Sequence, residues 1–235
     1  MWNKIQRIYI GDHYQVYPKW AVNSNTVAYY PLDTDFNDYS WNWWNMTTKA
    51  GSPSITTLNG VKCCYFNGSS DIGNNDLHSS VIGTTFTICW WINITWTEVA
   101  LFTDYYQPWN TWLNIFTSVT ETILGLWKGN SQTQTSDNYS TLQNTWVFTC
   151  GTYSNQTVKI YKNWNITKTA NNVSYSTDNN GYARIGWWNN RTSWTWERWF
   201  SNGYVSGLII ENRARTDQDV ADYYNQTKAT YLWFN

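Results

Sequence analysis

Between positions 26 and 210 the chain is a succession of short runs in which apolar side chains alternate with polar ones or stand together: residues 26–30, 61–66, 86–92, 99–103, 112–116, 123–127, 146–153, 158–162, 182–185 and 203–210. A two-residue period marks β-strands, and the Gly, Asn, Asp and Ser between the runs supply turns. Helical spacing is missing from this stretch. The pattern therefore predicts an all-β antiparallel sandwich or jelly roll. A single short helix is predicted near the end, where Thr216 caps Asp217-Gln218-Asp219 in a capping box and Val220, Tyr223 and Tyr224 share one face. Residues 231–234, Tyr-Leu-Trp-Phe, read as a last strand or a docked tail.

Residues 1–22 stand apart as an attachment segment, and residues 23–235 form the sandwich. Ile5 to Ile10, then Gly11-Asp12, then His13 to Tyr17 reads as a small hairpin stopped by Pro18. An isolated hairpin is marginal in water, so it docks on the main domain or on a partner.

Tryptophan breaks the turn chemistry. In the run 157–166 the alternation stops at Asn163-Trp164, where a tight hairpin turn wants residues that accept positive φ, ordinarily Asn-Gly. Trp41 and Trp43 beside Asp38, and Trp187 and Trp194 in a polar stretch, likewise occupy positions that call for Gly, Asn or Ser. Nineteen Trp against thirteen Gly reverses the usual abundance. Two explanations compete: an aromatic platform for sugars or bases, or glycine codons of the UGA type read as tryptophan at positions 2, 41, 43, 164, 187 and 194. The codons decide between them.

With 235 residues, a formal charge of −1 and 13% charged residues, the chain offers no electrostatic footprint for nucleic acid or an anionic membrane. No apolar run is long enough to span a bilayer, so membrane insertion is not expected. Residues 1–7 lack the apolar stretch of a signal peptide, so a leader is already removed or export takes another route. Cys63, Cys64, Cys89 and Cys150 lack metal-type spacing. Adjacent Cys63 and Cys64 point to opposite faces of a strand, so at most one is expected in the core, and a Cys89–Cys150 bridge is open. Asn-x-Ser/Thr triplets at Asn45, Asn67, Asn93, Asn155, Asn165 and Asn225 are read as composition rather than glycan acceptors.

The order of motifs resembles the laminin G-like jelly rolls of the concanavalin A-like lectin/glucanase superfamily. Val27 to Asp33 followed by Phe36-Asn37-Asp38-Tyr39-Ser40 is similar to that family's opening strand and D-x-S-G-x-G loop, with Trp41 and Trp43 at the two glycines. Val61 to Ser70 resembles the strand and turn that follow, and Phe86 to Ile92 the core strand, whose buried tryptophan would be Trp91. The runs 145–153 and 158–164, then Arg184-Ile185-Gly186, Asn202 to Ile210 and the capped helix complete the likeness over roughly residues 26–227. Some relatives hold a structural Ca²⁺. Where the family often has Asp-Glu in the last long strand this chain has Ser206-Gly207, which leaves Asp33 and Asp38 as candidate oxygen donors for calcium. The competing role for both is capping turns. No other cofactor is implied.

The glycosidases of the superfamily need two carboxylates across the scissile bond. Glu98, Glu121, Glu197 and Glu211 each lack an acidic neighbour two residues away, and His13 and His78 sit in no nucleophile context. A non-enzymatic protein is therefore expected. What remains is binding: the resemblance and the aromatic loops point to a carbohydrate or cell-surface recognition module with an adhesive role. Tyr105, Tyr106, Trp109, Asn189 and Arg191 are the candidate ligand contacts. The alternative is a structural or virion/surface-assembly protein that uses the sandwich as a rigid spacer. An extracellular, cell-surface or virion setting is favoured, and the oligomeric state is left open.

Overall fold

The computed structural model describes residues 22–95, 98–104, 113–118, 121–128, 131–138, 143–177, 183–190 and 197–232. The strands, in order, are β1 (Thr26–Tyr30), β2 (Thr47–Ala50), β3 (Ser54–Leu58), β4 (Val61–Asn67), β5 (Asp71–Asn74), β6 (Phe86–Ile94), β7 (Glu98–Asp104), β8 (Leu113–Ser118), β9 (Glu121–Lys128), β10 (Ser131–Asn138), β11 (Trp146–Ser154), β12 (Thr157–Lys162), β13 (Asn165–Ala170), β14 (Ala183–Ile185), β15 (Trp187–Asn190), β16 (Glu197–Phe200) and β17 (Asn202–Glu211). A one-turn helix α1 (Ser79–Ile82) precedes β6, and α2 (Asp217–Leu232) follows β17.

Two antiparallel sheets carry the domain. The first has the order β13-β12-β11-β6-β17-β4-β3, with β1 also paired to β17, and the second the order β10-β9-β8-β7-β14-β5-β2. β15 and β16 pair with each other as a separate ribbon. This is the expected antiparallel β-sandwich. β17 serves several partners because its register shifts between Ser206 and Ile209, where Gly207 takes φ +62°. Its first half pairs with β4 (Val205 with Cys64) and its second with β1 (Leu208 with Tyr30), while β6 runs along its other edge.

Alternation along the central strands fills two apolar layers. Phe86, Ile88, Trp90 and Ile92 of β6 point between the sheets, against Leu113, Ile115, Leu124, Leu126, Ala183 and Ile185 of the second sheet. The intervening Cys89 and Trp91 join Trp146, Phe148, Cys150, Tyr161 and Ile209 on the outer face of the first sheet, under Val220, Tyr223, Tyr224 and Tyr231 of α2. Trp91 is thus buried as expected, but beneath the helix, and Trp90 is the indole between the sheets. Cys63 and Cys64 point to opposite faces as expected, Cys64 between the sheets and Cys63 toward α2, but because both faces of this sheet are covered both thiols are buried, where at most one was expected in the core. Cys89 and Cys150 face each other across β6 and β11 and are joined as a disulfide.

The capping box closes in both directions: the Asp219 N–H donates to Thr216 Oγ1 (3.1 Å) and the Thr216 N–H to Asp219 Oδ2 (3.0 Å). The helix runs further than expected. Tyr231 and Leu232 belong to its last turn, not to a strand, because the Tyr231 ring stacks on Trp91 at 4.3 Å and 6°. Its hydroxyl meets Ser206 Oγ at 3.0 Å. The helix start is pinned by Glu211, wholly buried, which accepts from Arg215 Nε (2.8 Å) and Nη2 (2.9 Å), Asn23 Nδ2 (3.0 Å) and Arg213 Nε (3.3 Å). Burial alone would raise its pKa, but the hydrogen bonds and charge of Arg215, with Arg213 and Asn23, outweigh it and hold it below the usual carboxylate value.

Candidate functional site

The loop that follows β1 is built on one carboxylate. Asp38 Oδ1 accepts the N–H groups of Tyr29 (2.9 Å) and Ser40 (2.8 Å), and Oδ2 accepts the Ser40 hydroxyl (2.7 Å) and the Trp44 N–H (2.9 Å). Asn42 Nδ2 ties the same loop to the carbonyls of Thr26 (3.1 Å) and Val27 (2.9 Å). Asp38 therefore organises turns, and its lone pairs are taken by protein donors. Asp33 is buried nearby and accepts from Thr34 Oγ1 at 3.1 Å. Among the described residues no three His, Cys, Asp or Glu side chains gather in a metal-binding group.

Of the sequence-derived contacts, Tyr105, Tyr106, Trp109 and Arg191 lie outside the described residues, and Asn189 is described only as a position of β15, opposite Arg198.

Two rows across the sheets were not legible as sites. On the outer face of the second sheet, Thr47, Gly73, Arg184, Thr103, Asn114, Gly125 and Gln134 are successive partners across all seven strands. Arg184 lies 3.8 Å from Asp71 there, and the buried amide of Asn114 has no hydrogen-bond partner at either atom. On the helix-bearing face of the first sheet, Ser54, Tyr65, Tyr204, Asn93 and Trp146 are likewise successive partners.

The second row grades from rim to interior. Ser54 is exposed, Tyr65 and Tyr204 are half-buried with ring centroids 4.9 Å apart, and Asn93 and Trp146 are 1% and 2% exposed. Asn93 Oδ1, Asn93 Nδ2 and Trp146 Nε1 are buried without a partner. Burial, then the charges of Tyr65 and Cys63, raise the Tyr204 pKa, so its hydroxyl stays protonated at neutral pH. Orphaned polar atoms are rare in native interiors, because each carries an uncompensated desolvation penalty. Here a donor, a donor–acceptor amide and two flat rings stand in one line. The available sequence signal was Tyr65 and Tyr204 in the outward phase of apolar strands, together with an asparagine inside the apolar run of β6.

No protein-family model matches the chain, and no curated protein matches it in sequence. Solved structures do match in fold. Domain 4 of AbnA, a GH43 extracellular arabinanase from Geobacillus stearothermophilus, solved in complex with arabinotriose, superposes with a TM-score of 0.67 at 19% identity, over 84% of this chain and 97% of that one. The botulinum neurotoxin serotype G binding domain gives 0.65 at 14% identity, over 87% and 52%. A type C botulinum neurotoxin, whose cell entry depends on interaction with two ganglioside molecules, gives 0.65 at 12%, over 86% and 51%. The chain thus spans about half the length of the toxin binding domains it resembles and nearly all of the arabinanase domain.

Proposed function

We propose that this chain is a non-catalytic, laminin G-like binding module that recognises a saccharide at a cell surface or outside the cell, and that the row Tyr65–Tyr204–Asn93–Trp146 is its binding row. The observation that carries the reading is the cluster of partnerless polar atoms on Asn93 and Trp146, in the same row as a half-buried pair of tyrosine rings tilted at 33°. A sugar presents hydroxyls that donate and accept at once, which is what an amide and an indole N–H ask for, and C–H faces that lie on aromatic rings. The fold neighbours solved with arabinotriose or tied to gangliosides support the same class of ligand. Hydrolysis has little support: Glu211 is committed to Arg215, and Asp38 to its loop.

The test is Asn93→Leu, close in volume but without polar atoms, compared with the unaltered protein on a broad glycan array, on arabino-oligosaccharides by calorimetry and on ganglioside-bearing vesicles. Binding should fall at least tenfold, about 1.4 kcal/mol, while thermal stability holds or rises because a partnerless buried amide has been removed. Unchanged glycan binding by Asn93→Leu would refute the row. No ligand on any of the three surfaces, with self-assembly at high concentration, would favour the spacer role instead.

A further inference from the structure

Apart from Trp44, which is half-buried against the inter-sheet core, the described tryptophans of known exposure fall into two populations. Trp90, Trp91 and Trp146 are 0–2% exposed at the centres of the two apolar layers. Trp41, Trp43 and Trp164 are 80%, 77% and 54% exposed, and among the described residues Ile166 is the other exposed large apolar side chain. Indoles are highly buried on average, so three that are more than half exposed in tight loops need their own explanation.

The backbone at these positions is fixed by neighbours. Around positions 41 and 43 the loop is set by Asp38, Ser40 and Asn42 through bonds to main-chain groups of residues 26, 27, 29, 40 and 44, and none of these bonds uses the side chain at 41 or 43. Trp43 nevertheless takes φ +61°, in the left-handed region where a Cβ crowds the following carbonyl and glycine is at ease. Trp164 is the second residue of a two-residue turn closed by the pair Lys162 and Asn165, a turn for which Asn-Gly is the favoured sequence. There the positive φ falls on Asn163, at +53°, and not on Trp164, which narrows the expectation from turn chemistry: strain is present at Trp43, and at Trp41 and Trp164 the signal is exposure in a tight loop.

We propose that positions 41, 43 and 164 are glycine in the protein the cell makes, each specified by a UGA codon that the organism decodes as glycine, while Trp90, Trp91 and Trp146 are specified by UGG. A single ambiguous codon explains why the residue out of place is tryptophan each time and the residue the backbone suits is glycine. The loop around Asp38 then reads Ser-Gly-Asn-Gly and carries no aromatic platform, so saccharide stacking belongs to Tyr65 and Tyr204. This inference stands on loop geometry and does not depend on the binding row.

The experiment has three readings. The gene sequence should show UGA at 41, 43 and 164 and UGG at 90, 91 and 146; UGG at the loop positions overturns the proposal. Peptide mass spectrometry of protein purified from its natural source should show glycine masses at the loop positions; tryptophan masses there overturn it whatever the codons are. In recombinant protein, Trp43→Gly should raise the melting temperature more than Trp41→Gly, since only Trp43 has positive φ, and a lower melting temperature for Trp43→Gly contradicts the backbone argument.

Discussion

Replacing Glu211 by alanine is the sharpest test of how the helix is fastened to the sandwich. The carboxylate is wholly buried and accepts four hydrogen bonds of 2.8–3.3 Å, two of them from the Arg215 guanidinium. Alanine would leave that buried cation with the Tyr223 ring, 4.5 Å from Cζ, as its remaining close counterpart. Removing one member of such a pair costs about 3–5 kcal/mol, since the stranded charge has lost its water and gained nothing. At roughly 2–4 °C per kcal/mol for a chain of this size, the melting temperature should fall by roughly 6–20 °C. Circular dichroism melts and urea titrations of Glu211→Ala, Arg215→Met and the double variant Glu211→Met/Arg215→Met measure it. The double variant should regain most of the loss, because a well-packed apolar pair replaces the ions. A loss below about 1 kcal/mol for Glu211→Ala, or a double variant as unstable as the single one, would refute the argument. The pH dependence has a definite sign. Because the folded pKa is depressed, the contribution is present above the unfolded carboxylate value, about 4.3, and is lost as pH falls through the lower folded value. Glu211→Gln should therefore flatten the acid limb of the stability curve.

Thr216→Ala breaks one half of the capping box and should destabilise the protein by about 1 kcal/mol in a urea titration; no change would mean the first turn of α2 is held by Asp217, which bonds Lys159 and Tyr161, instead. Burial pushes the Cys63 thiol up to about 12 and the Cys64 thiol higher still, so both should resist alkylation at pH 8 in the native protein and react after denaturation. Labelling of native protein at Cys63 would show that the layer under α2 opens easily, and at Cys64 that the layer between the sheets does.

The strands that span the sandwich were legible because both of their neighbours are apolar. The runs at 26–30, 61–66, 86–92, 146–153 and 203–210 fall on β1, β4, β6, β11 and β17 within a residue or two at most ends. Thr47–Ala50 and Ser131–Asn138 were not, because they lie at sheet edges, where β2 and β10 are held by ladder bonds to one neighbour and need no apolar phase. The end of the helix was misjudged at Tyr231 because local sequence does not reveal a ring waiting in Trp91. The candidate site was less legible still. Asn93 looked like part of an Asn-x-Thr triplet, and whether an amide finds a partner depends on strands far away in sequence: Trp146 and Tyr204 reach it only through the pairing of β6 with β11 and β17.

β17 has a bearing on how the chain is made. Among the described residues it comes last of the strands, yet it lies inside its sheet, and the earliest described strand, β1, finds its ladder partner there, with Thr26 opposite Glu211. A ribosome releasing this polypeptide therefore exposes most of a sandwich with its keystone missing. Contacts spanning so much of the chain fold slowly, and the unfinished edges of β4, β6 and β1 are open to pairing with other nascent chains until Asn202–Glu211 emerges.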